Sequence, residues 1–333
     1  MTSELIARAR AGDKDAFSDL VDPHRDELRA HCYRMLGSAH DAEDAVQETM
    51  LAAWLGFAGF EGRASVRTWL YRIATNRCLN ALRSAGRRQD RSWTSLAVEP
   101  PEPTRFAEVT WLEPYPDVLL DNLADAEKGP EAQVETREAI SLAFVTALQL
   151  LPPRQRAALI LRDVLGFRAS EVADMVDATQ ESVTSSLKRA RATLREQLGT
   201  GRPPPPPPDS PAEQRLVRRF AEAFAGHDFD SVVRLLTEDA WVKMPPMPFE
   251  YQGREAAAGF FSAIAARGKR AWRLVPARAN GQPALAVYGQ DPVAGVWHAN
   301  GLLVLALSGN QISEIIRFDA SVLAGFGLPR TLA

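Results

Sequence analysis

Residues 60–91, FEGRASVRTWLYRIATNRCLNALRSAGRRQDR, decide how the first part of this chain folds and what it does. On a helix that turns roughly 100° per residue, Val66, Leu70 and Ile73 share one face, which predicts a helix with one side in a core. A different face carries polar and cationic side chains around one aromatic ring: Trp69, Arg72, Asn76, Asn80, Arg83 and Arg87. A stripe of guanidinium and amide groups beside an aromatic ring suits a phosphate backbone with unstacked bases nearby.

The basic charge is confined to this segment. Residues 1–61 contain twelve acidic and six basic side chains, whereas residues 62–91 contain eight basic and one acidic, in a chain of net charge −3. A solvated charged face is the alternative interpretation, but such faces usually mix signs. Trp69 has a second interpretation as a core residue. The pattern favours local contact with nucleic acid.

The segment GRASVRTWLYRIATNRCLNALR, preceded by HCYRMLGSAHDAEDAVQETMLAAW at residues 31–54, resembles conserved region 2 of bacterial sigma-70 family factors of the extracytoplasmic-function (ECF) type. The resemblance covers residues 1–91 and returns in residues 136–197. WLEPYPD at residues 111–117, together with an added C-terminal domain, is similar to the sigma-G-like subgroup. The resemblance implies a promoter-specificity subunit of RNA polymerase that performs no chemistry itself.

The expected fold is multidomain, with two all-α domains followed by an α+β SnoaL-like cone-shaped barrel. Between the helical domains lies a proline-rich stretch in which nine acidic side chains of residues 98–131 oppose only Arg105 and Lys128, which is typical of a linker. Six prolines at 203–208 predict a spacer of about 3.1 Å per residue. The predicted divisions are 1–92 for region 2, 93–134 for an acidic linker, 135–199 for a region 4 helix-turn-helix, 200–211 for a polyproline linker and 212–333 for a SnoaL-like regulatory domain.

In the resembled family, region 2 accepts a flipped base of the −10 promoter element. An unpaired base has to stack on a ring and have its edge hydrogen bonded. The resemblance places Trp69 and Asn76 at that site, beside a loop formed by residues 60–65. The predicted −10 contacts are Arg63, Ser65, Arg67, Trp69, Arg72, Asn76, Asn80, Arg83 and Arg87.

Residues 169–197 have the layout of a helix-turn-helix, which the resemblance assigns to reading the −35 element. The N-terminal part of a recognition helix enters the major groove. Asp177 stands where the family often has Gly, and Arg168 replaces the usual capping residue before the first helix. A basic helical hairpin without a DNA role is the alternative interpretation. The predicted −35 contacts are Glu181, Ser182, Ser185, Lys188, Arg189 and Arg191.

An acidic helix face is predicted near residue 44. By composition alone it is a solvated face or a helix start, but the resemblance implies docking on the clamp coiled coil of the largest polymerase subunit. The flap of the second-largest subunit is the expected partner of region 4, and an anti-sigma factor or a small ligand is left open. The predicted polymerase contacts are Asp41, Glu43, Asp44, Gln47 and Glu48.

The segments FAEAFAGHDFDSVVRLLTEDAWVKMPP and ANGLLVLALSGNQISEIIRFD resemble the SnoaL-like fold. Helical patterns followed by strand-like runs predict an α+β domain with an antiparallel sheet. The fold serves isomerases, cyclases and dehydratases, and also serves binding alone. A pair such as His298 with Asp319 would be needed for acid–base work. The candidate ligand pocket consists of Trp241, Met244, Phe249, Tyr251, Trp272 and His298.

We expect this domain to regulate the helical domains, by sensing a ligand or by pressing on them. Two alternatives remain open. One is an isomerase or cyclase of the SnoaL type joined to a DNA-binding module, and the other is a one-component repressor that binds its operator without polymerase.

The two cysteines, Cys32 and Cys78, form no CxxC pair, so we expect neither a metal site nor a cofactor. The N-terminus lacks an apolar signal core. The longest aliphatic run, residues 302–307, is too short to span a bilayer. A soluble cytoplasmic protein is therefore expected.

Overall fold

The computed structural model describes residues 2–85, 101–121, 138–198, 201–266 and 270–332. The chain divides into two compact units, the first drawn from residues 1–91 and 119–199 and the second from residues 92–118 and 200–333. The segment expected to be a linker is therefore divided, because its proline-rich part belongs to the same unit as the C-terminal domain.

The first unit begins with five helices whose ends are set by local capping. Asp13 Oδ1 accepts a hydrogen bond from Ala16 N at 3.1 Å, and Ser38 Oγ accepts one from Asp41 N at 3.0 Å. Gly37, with φ of 77°, ends the third helix in the left-handed conformation. The helices are α1 Thr2–Arg10, α2 Lys14–Val21, α3 Arg25–Leu36, α4 Ala39–Gly56 and α5 Val66–Ala85.

The rest of the first unit is also helical. The expected helix-turn-helix is present, and Asp177 occupies its turn with φ of 49°, a conformation that Asp tolerates better than most residues. Arg168 gives no side-chain cap, as expected, but its backbone N donates to Glu171 Oε2 at 2.9 Å. The helices are α6 Val118–Asp121, α7 Leu142–Gln149, α8 Pro153–Leu159 with a π-turn at Ile160–Val164, α9 Ala169–Met175 and α10 Gln180–Leu198.

The second unit is a mixed sheet of eight strands packed against helices. The strand order is β1-β3-β2-β7-β6-β5-β4, and β8 pairs with β6. All pairs are antiparallel except β2 with β7, so the expectation of a purely antiparallel sheet is wrong. The strands are β1 Arg105–Phe106, β2 Leu236–Lys243, β3 Phe249–Gln252, β4 Trp272–Ala279, β5 Gln282–Gln290, β6 Trp297–Ser308, β7 Gln311–Asp319 and β8 Thr331–Leu332.

Helices cover one face of this sheet, which is called the inner face below. They are α11 Pro211–Ala225, α12 Phe229–Arg234 and α13 Arg254–Ala265, and a 3-10 helix, Ala320–Phe326, follows β7. The core between helices and sheet is apolar and rich in aromatic rings, with Phe229 and Phe261 stacked at a centroid separation of 5.5 Å. In the described part of the chain, no helix combines the length and apolar character that crossing a bilayer requires.

The polyproline segment lies along the second unit instead of standing as a free spacer. The carbonyl oxygen of Pro203 accepts from Ser308 Oγ at 3.0 Å, and that of Pro204 accepts from Gly309 N at 3.0 Å. An extended polyproline helix makes no internal hydrogen bonds, so its carbonyls are available to a neighbouring surface.

The pairing of β6 with β7 can be tested by a substitution at Gly301. A β-carbon at this position would lie 2.3 Å from the backbone oxygen of Phe318, a rigid neighbour. We expect Gly301→Ala to destabilise the second unit by about 2 kcal/mol or more, because overpacking forces backbone shifts. Thermal unfolding measures the loss.

Gly259→Ala is the matched control, since Gly259 lies within α13 and nothing lies within 4 Å of its added β-carbon. This change should leave stability equal or raise it by roughly 0.5–1 kcal/mol. Equal melting temperatures for the two variants would contradict the packing argument.

Candidate nucleic-acid interface

The aromatic ring at the centre of the basic stripe is half-buried. Trp69 packs against Phe57 and Phe60, with ring centroids 5.6 Å and 5.2 Å away. Its remaining surface lines a cleft of about 980 Å³ together with the loop of residues 59–64. The core therefore fixes one side of the ring, and the cleft presents the other side.

The loop before α5 is fixed by its own cap. Ser65 Oγ accepts from Thr68 N at 3.0 Å, and Ser65 O accepts from Trp69 N at 3.0 Å. The Arg63 side chain is 84% exposed and pairs with Glu61 at 2.5 Å. The cap sets where α5 begins and therefore where Trp69 sits in the cleft.

The predicted stripe is present along α5. Arg72, Asn80 and Arg83 are exposed, and Asn76 is half-buried. Arg83 Nη2 donates to Asn80 Oδ1 at 2.6 Å. The ninth predicted contact, Arg87, lies outside the described residues.

Arg67 does not face the cleft with the others. Its guanidinium pairs with Glu27 at 3.0 Å and lies over the rings of Tyr71 and Phe167, 4.9 Å and 4.8 Å from their centroids. Phe167 belongs to the second helical segment, so Arg67 joins the two helical segments of the first unit. Partial burial opposes ionisation of Glu27, but hydrogen bonds from His24 and Arg67 outweigh it and lower the pKa of this carboxyl.

A buried guanidinium makes the deepest contact between these two segments. Arg156 Nη1 donates to Met35 O and to Gln149 Oε1, the latter at 2.6 Å, and burial lowers the pKa of Arg156 to about 10. Gln149 Nε2 donates to Arg34 O at 3.1 Å. Gly37 is required here, because a β-carbon would lie 3.0 Å from the Gln149 side chain.

The same packing closes the cleft beside Trp69. Its opposite wall comes from α9 and the following turn, which contribute the carboxylates of Glu171, Asp174 and Asp177. Thr68 Oγ1 lies 3.4 Å from Glu171 Oε1, and Arg72 lies 3.9 Å from Asp177. Carboxylates therefore lie beside the cationic stripe of α5, at the position where DNA phosphates would contact it. This arrangement, in which α9 and its turn cover the stripe, is called the closed conformation below.

The recognition helix presents its predicted face to solvent. Val183, Leu187, Ala190 and Leu194 are buried, as their spacing predicted. Arg191 is engaged by Asp163 through two hydrogen bonds of 2.8 Å and 2.7 Å. The predicted −35 contacts, Glu181, Ser182, Ser185, Lys188, Arg189 and Arg191, are all exposed.

The acidic face of α4 extends further than the sequence suggested. Asp44 and Glu48 are exposed, and the same helix face continues into Leu51 and Leu55, whose side chains are 60% and 73% exposed. The spacing of Asp44, Glu48, Leu51 and Leu55 by three or four residues was the sequence signal that they share one helix face. Among the remaining predictions, Gln47 is exposed, Asp41 is half-buried, and Glu43 pairs with Arg29 at 2.7 Å.

Four of the six candidate pocket residues lie in or against the inner core of the second unit, whereas Trp241 and His298 lie apart from them. Met244 and Tyr251 belong to the inner core, and Phe249 and Trp272 pack against it. Trp241 lies on the opposite face, where Lys243 Nζ and Arg105 Cζ are 5.3 Å and 5.7 Å from its ring centroid. Alternation along β2 separates Trp241 from its neighbours.

His298 and Asp319 do not form an acid–base pair. His298 is exposed in register with Thr331, whereas Asp319 accepts from Ser321 N at 2.7 Å and caps the 3-10 helix. Asp319 pairs in register with Gly301, three residues beyond His298. The geometry gives no support to catalysis by this pair.

Comparisons with known proteins agree with this division. Residues 20–88 match Sigma-70 region 2, residues 141–194 match Sigma-70, region 4, and residues 217–315 match a SnoaL-like domain. The chain is 44% identical over 333 residues to the ECF RNA polymerase sigma factor SigG of Mycobacterium tuberculosis (strain ATCC 25618 / H37Rv), with 98% of this chain and 86% of the relative covered.

Two further similarities are more distant. The chain is 34% identical over 197 residues to the ECF RNA polymerase sigma factor SigM of the same strain, covering 59% of this chain and 84% of the relative. The crystal structure of Mycobacterium tuberculosis extracytoplasmic function sigma factor SigJ aligns with a TM-score of 0.61 at 21% identity, covering 92% of this chain and 97% of that one. That likeness shows the same fold.

Glu27 makes the closed conformation sensitive to acid. Because the pKa of Glu27 is lowered on folding, its contribution is present above the usual carboxyl pKa and is lost as pH falls through the lower folded value. We expect Glu27→Gln to reduce the free energy of unfolding by about 1–2 kcal/mol at pH 7 and by much less near pH 3. Denaturant unfolding at both pH values measures this, with exposed Glu196→Gln as the control. An equal loss at both pH values would contradict the ion-pair role.

Proposed function

The chain belongs to the ECF family of RNA polymerase sigma factors, and we propose that it uses the surfaces described above to direct core polymerase to a two-element promoter. Its relatives are sigma factors, not enzymes, and the family's partners are RNA polymerase and promoter DNA. The observation that carries the proposal is the cationic stripe of α5 around Trp69, in one unit with an exposed recognition helix. With these partners, the place of action is the cytoplasm.

At the −10 element, we assign the base-accepting role to Trp69 and the loop before α5. A ring held on one side by Phe57 and Phe60 is preorganised to stack with an unpaired base on its free side. Arg72 and Arg83 are placed for phosphates, and the amide of Asn76 for a base edge.

At the −35 element, the exposed N-terminal part of α10 is assigned to base edges. Glu181, Ser182 and Ser185 lie in its first two turns and Arg189 follows, while Lys188 and Arg191 suit phosphates. Region 4 is also the surface assigned to the polymerase flap.

The closed conformation has to open before both elements are read. The two elements lie about 25 base pairs apart, which is ~85 Å of duplex at about 3.4 Å per base pair. Yet Thr68 on α5 and Glu171 on α9 are 3.4 Å apart. We therefore assign to polymerase binding the work of separating region 2 from region 4.

For the polymerase clamp, the acidic stripe of α4 is the docking surface. Exposed Leu51 and Leu55 extend it with apolar area, and burial of such area at the centre of a charged rim is what gives an interface its affinity. The coiled coil of the largest subunit is the assigned partner.

The C-terminal domain is assigned a regulatory role. Both covalent flanks of region 4, residues 101–118 and 201–210, fall in the same unit as this domain. We favour regulation through contact between the C-terminal domain and these flanking segments. An anti-sigma factor or a small ligand would be the signal that changes this contact.

Run-off transcription with reconstituted core polymerase tests the central proposal. We expect initiation at a subset of genomic fragments that depends on this protein. Tight binding to core without initiation on any fragment would overturn it, and binding to an operator without polymerase would favour a repressor.

Trp69→Ala should reduce open-complex formation about fivefold or more, because base stacking on an aromatic ring contributes about 1–3 kcal/mol. Trp69→Phe, which keeps a ring, should retain most activity and serves as the control for folding. Permanganate footprinting of the −10 region measures opening.

Arg189→Ala should instead weaken −35 discrimination by about 1–3 kcal/mol. Equal loss of core binding in all three variants would show that they only damage the fold.

Charge reversal on α4 should weaken core binding. Asp44→Lys with Glu48→Lys is expected to raise the dissociation constant for core polymerase at least tenfold, because it opposes charge at the docking surface. Asp15→Lys with Asp19→Lys, at two exposed acidic positions of α2, is the control with the same change in net charge. Titration with fluorescent core measures affinity, and equal effects of the two changes would argue against a specific surface.

A further inference from the structure

Residues 101–107 add to one edge of the C-terminal sheet. The strand β1 pairs antiparallel with β3, so that Arg105 stands opposite Glu250 and Phe106 opposite Phe249. Thr104 N donates to Glu250 O at 3.0 Å, and Ala107 N donates to Pro248 O at 2.7 Å. This is strand addition at a sheet edge, in which main-chain hydrogen bonds hold an extended segment.

Residues 115–117 bind at the turn between β4 and β5, near the other edge. Asn280 N donates to Tyr115 O at 2.8 Å, and Tyr115 N donates to Asn280 Oδ1 at 2.7 Å. Gly281 N donates to Asp117 Oδ1 at 2.8 Å. Asn280 has φ of 57°, a left-handed conformation that an Asn-Gly turn supplies easily, and its amide is thereby aimed at the segment.

The chain between these two anchor points has to cross the sheet. From β1 to β4 there are six strand intervals, or about 29 Å if the sheet were flat, at about 4.8 Å per interval. The nine residues from Phe106 to Tyr115 reach at most about 32 Å. The segment is therefore long enough to run from edge to edge. The inner face is filled by the helical core, so the path lies on the outer face.

The outer face is largely apolar along β6 and β7, although Glu314 of β7 pairs there with Lys243 of β2. Its buried side chains include Leu302, Val304, Ile316 and Phe318, and Tyr288 of β5 is buried as well, where its hydroxyl donates to Pro329 O at 2.9 Å. In the crossing segment Val109, Leu112 and Tyr115 are buried as well, and Tyr115 is fully buried. Pro114 and Pro116 flank Tyr115 and hold the backbone extended, which lowers the entropy lost on binding.

One guanidinium ties this segment to the polyproline segment. Arg278 pairs with Asp117 at 3.4 Å, with Asp209 at 3.1 Å and with Glu213 at 2.7 Å. Asp117 lies just before region 4 in the chain, and Asp209 follows the polyproline segment after it. Residues 118–208, which include all of region 4, therefore form a loop whose two ends meet at Arg278.

We infer that the outer face of the C-terminal sheet is a peptide-binding site, and that its ligand is the chain's own proline-rich segment, residues 101–118. Arg278 couples occupancy of this site to the position of the polyproline segment. This rests on the proposed function: region 2 and region 4 have to separate on the promoter, and releasing eighteen residues from the sheet frees a connection that can extend up to about 60 Å in any direction. The C-terminal domain thus regulates by retaining or releasing the connection between the two DNA-reading regions.

Hydrogen exchange on the full-length protein without polymerase tests the binding site. In the unaltered chain, amides of Thr104, Ala107, Tyr115 and Asp117 should exchange as slowly as those of β5. In Asp117→Asn and in Arg278→Gln, exchange of peptides from 101–118 should accelerate at least tenfold while β5 and β6 stay protected. Glu102→Gln, an exposed acidic position in the same segment, is the matched control and should behave as the unaltered chain.

A synthetic peptide of residues 101–118 supplies the second arm. It should bind the Asp117→Asn full-length protein in trans and bind the unaltered chain at least tenfold more weakly, because the site is already occupied there. Fast exchange of β5 and β6 in the variants would show a merely structural role and overturn the inference. So would equal peptide binding by both proteins, or occupation of the face by a second copy, seen as dimerisation of the variant in light scattering.

Run-off transcription separates this inference from the proposed function. If the unaltered chain initiates and Asp117→Asn initiates at least threefold more or less than Glu102→Gln, the inference holds. Equal transcription by both variants, with the segment released in one, would overturn the regulatory part. Failure of the unaltered chain to initiate would count against the proposed function, and the exchange result would stand independently.

Discussion

The loop closed by Arg278 constrains much of what this chain can do. A guanidinium that is only 23% exposed meets three carboxylates from two separate segments of the chain, and removing any partner of a buried charge leaves the others uncompensated. Burial opposes the charge, but the hydrogen bond to Glu213 and the nearby acids together raise the pKa of Arg278. Because two of the acids bracket region 4 in sequence, a local ion cluster controls the span of a loop of more than ninety residues. The length of connection available to region 4 is therefore set in the C-terminal domain.

In the first unit, the same cationic stripe has two competing partners. Carboxylates of α9 and its turn face it in the closed conformation, and phosphates would face it on a promoter. The part-buried contact of Thr68 with Glu171 is long, and the pair of Arg72 with Asp177 is both long and exposed, so each contributes little to stability. Buried Arg156, which donates to backbone and amide oxygens, provides the more specific contact. Such an arrangement holds the regions together without making their separation costly.

The helical parts could be predicted from sequence because their signals are local. The apolar period of α5 and α10, the Ser38 cap and the left-handed Asp177 all depend on residues within one or two turns. The role of residues 101–118 could not be predicted, since β1 has two residues and pairs with a strand about 145 positions away. The proline and acidic residues of this segment suggested a linker. No local sequence signal shows that the segment binds the turn at Asn280 and Gly281. The contacts of Arg67 could not be predicted for the same reason, because its partners Glu27 and Phe167 are distant in sequence.

The two faces of the C-terminal sheet are covered through contacts of different strength. The inner face is held by aromatic core packing, in which the loss of one buried ring costs about 3–5 kcal/mol, so it does not separate without unfolding. The outer segment is held by main-chain hydrogen bonds of about 0.5–1.5 kcal/mol each, by the buried side chains of Val109, Leu112 and Tyr115, and by the Arg278 cluster. Contacts of that scale can be exchanged for contacts with a partner while the domain stays folded. In this chain, the sheet of the SnoaL-like domain thus binds a neighbouring segment of its own backbone, residues 101–118.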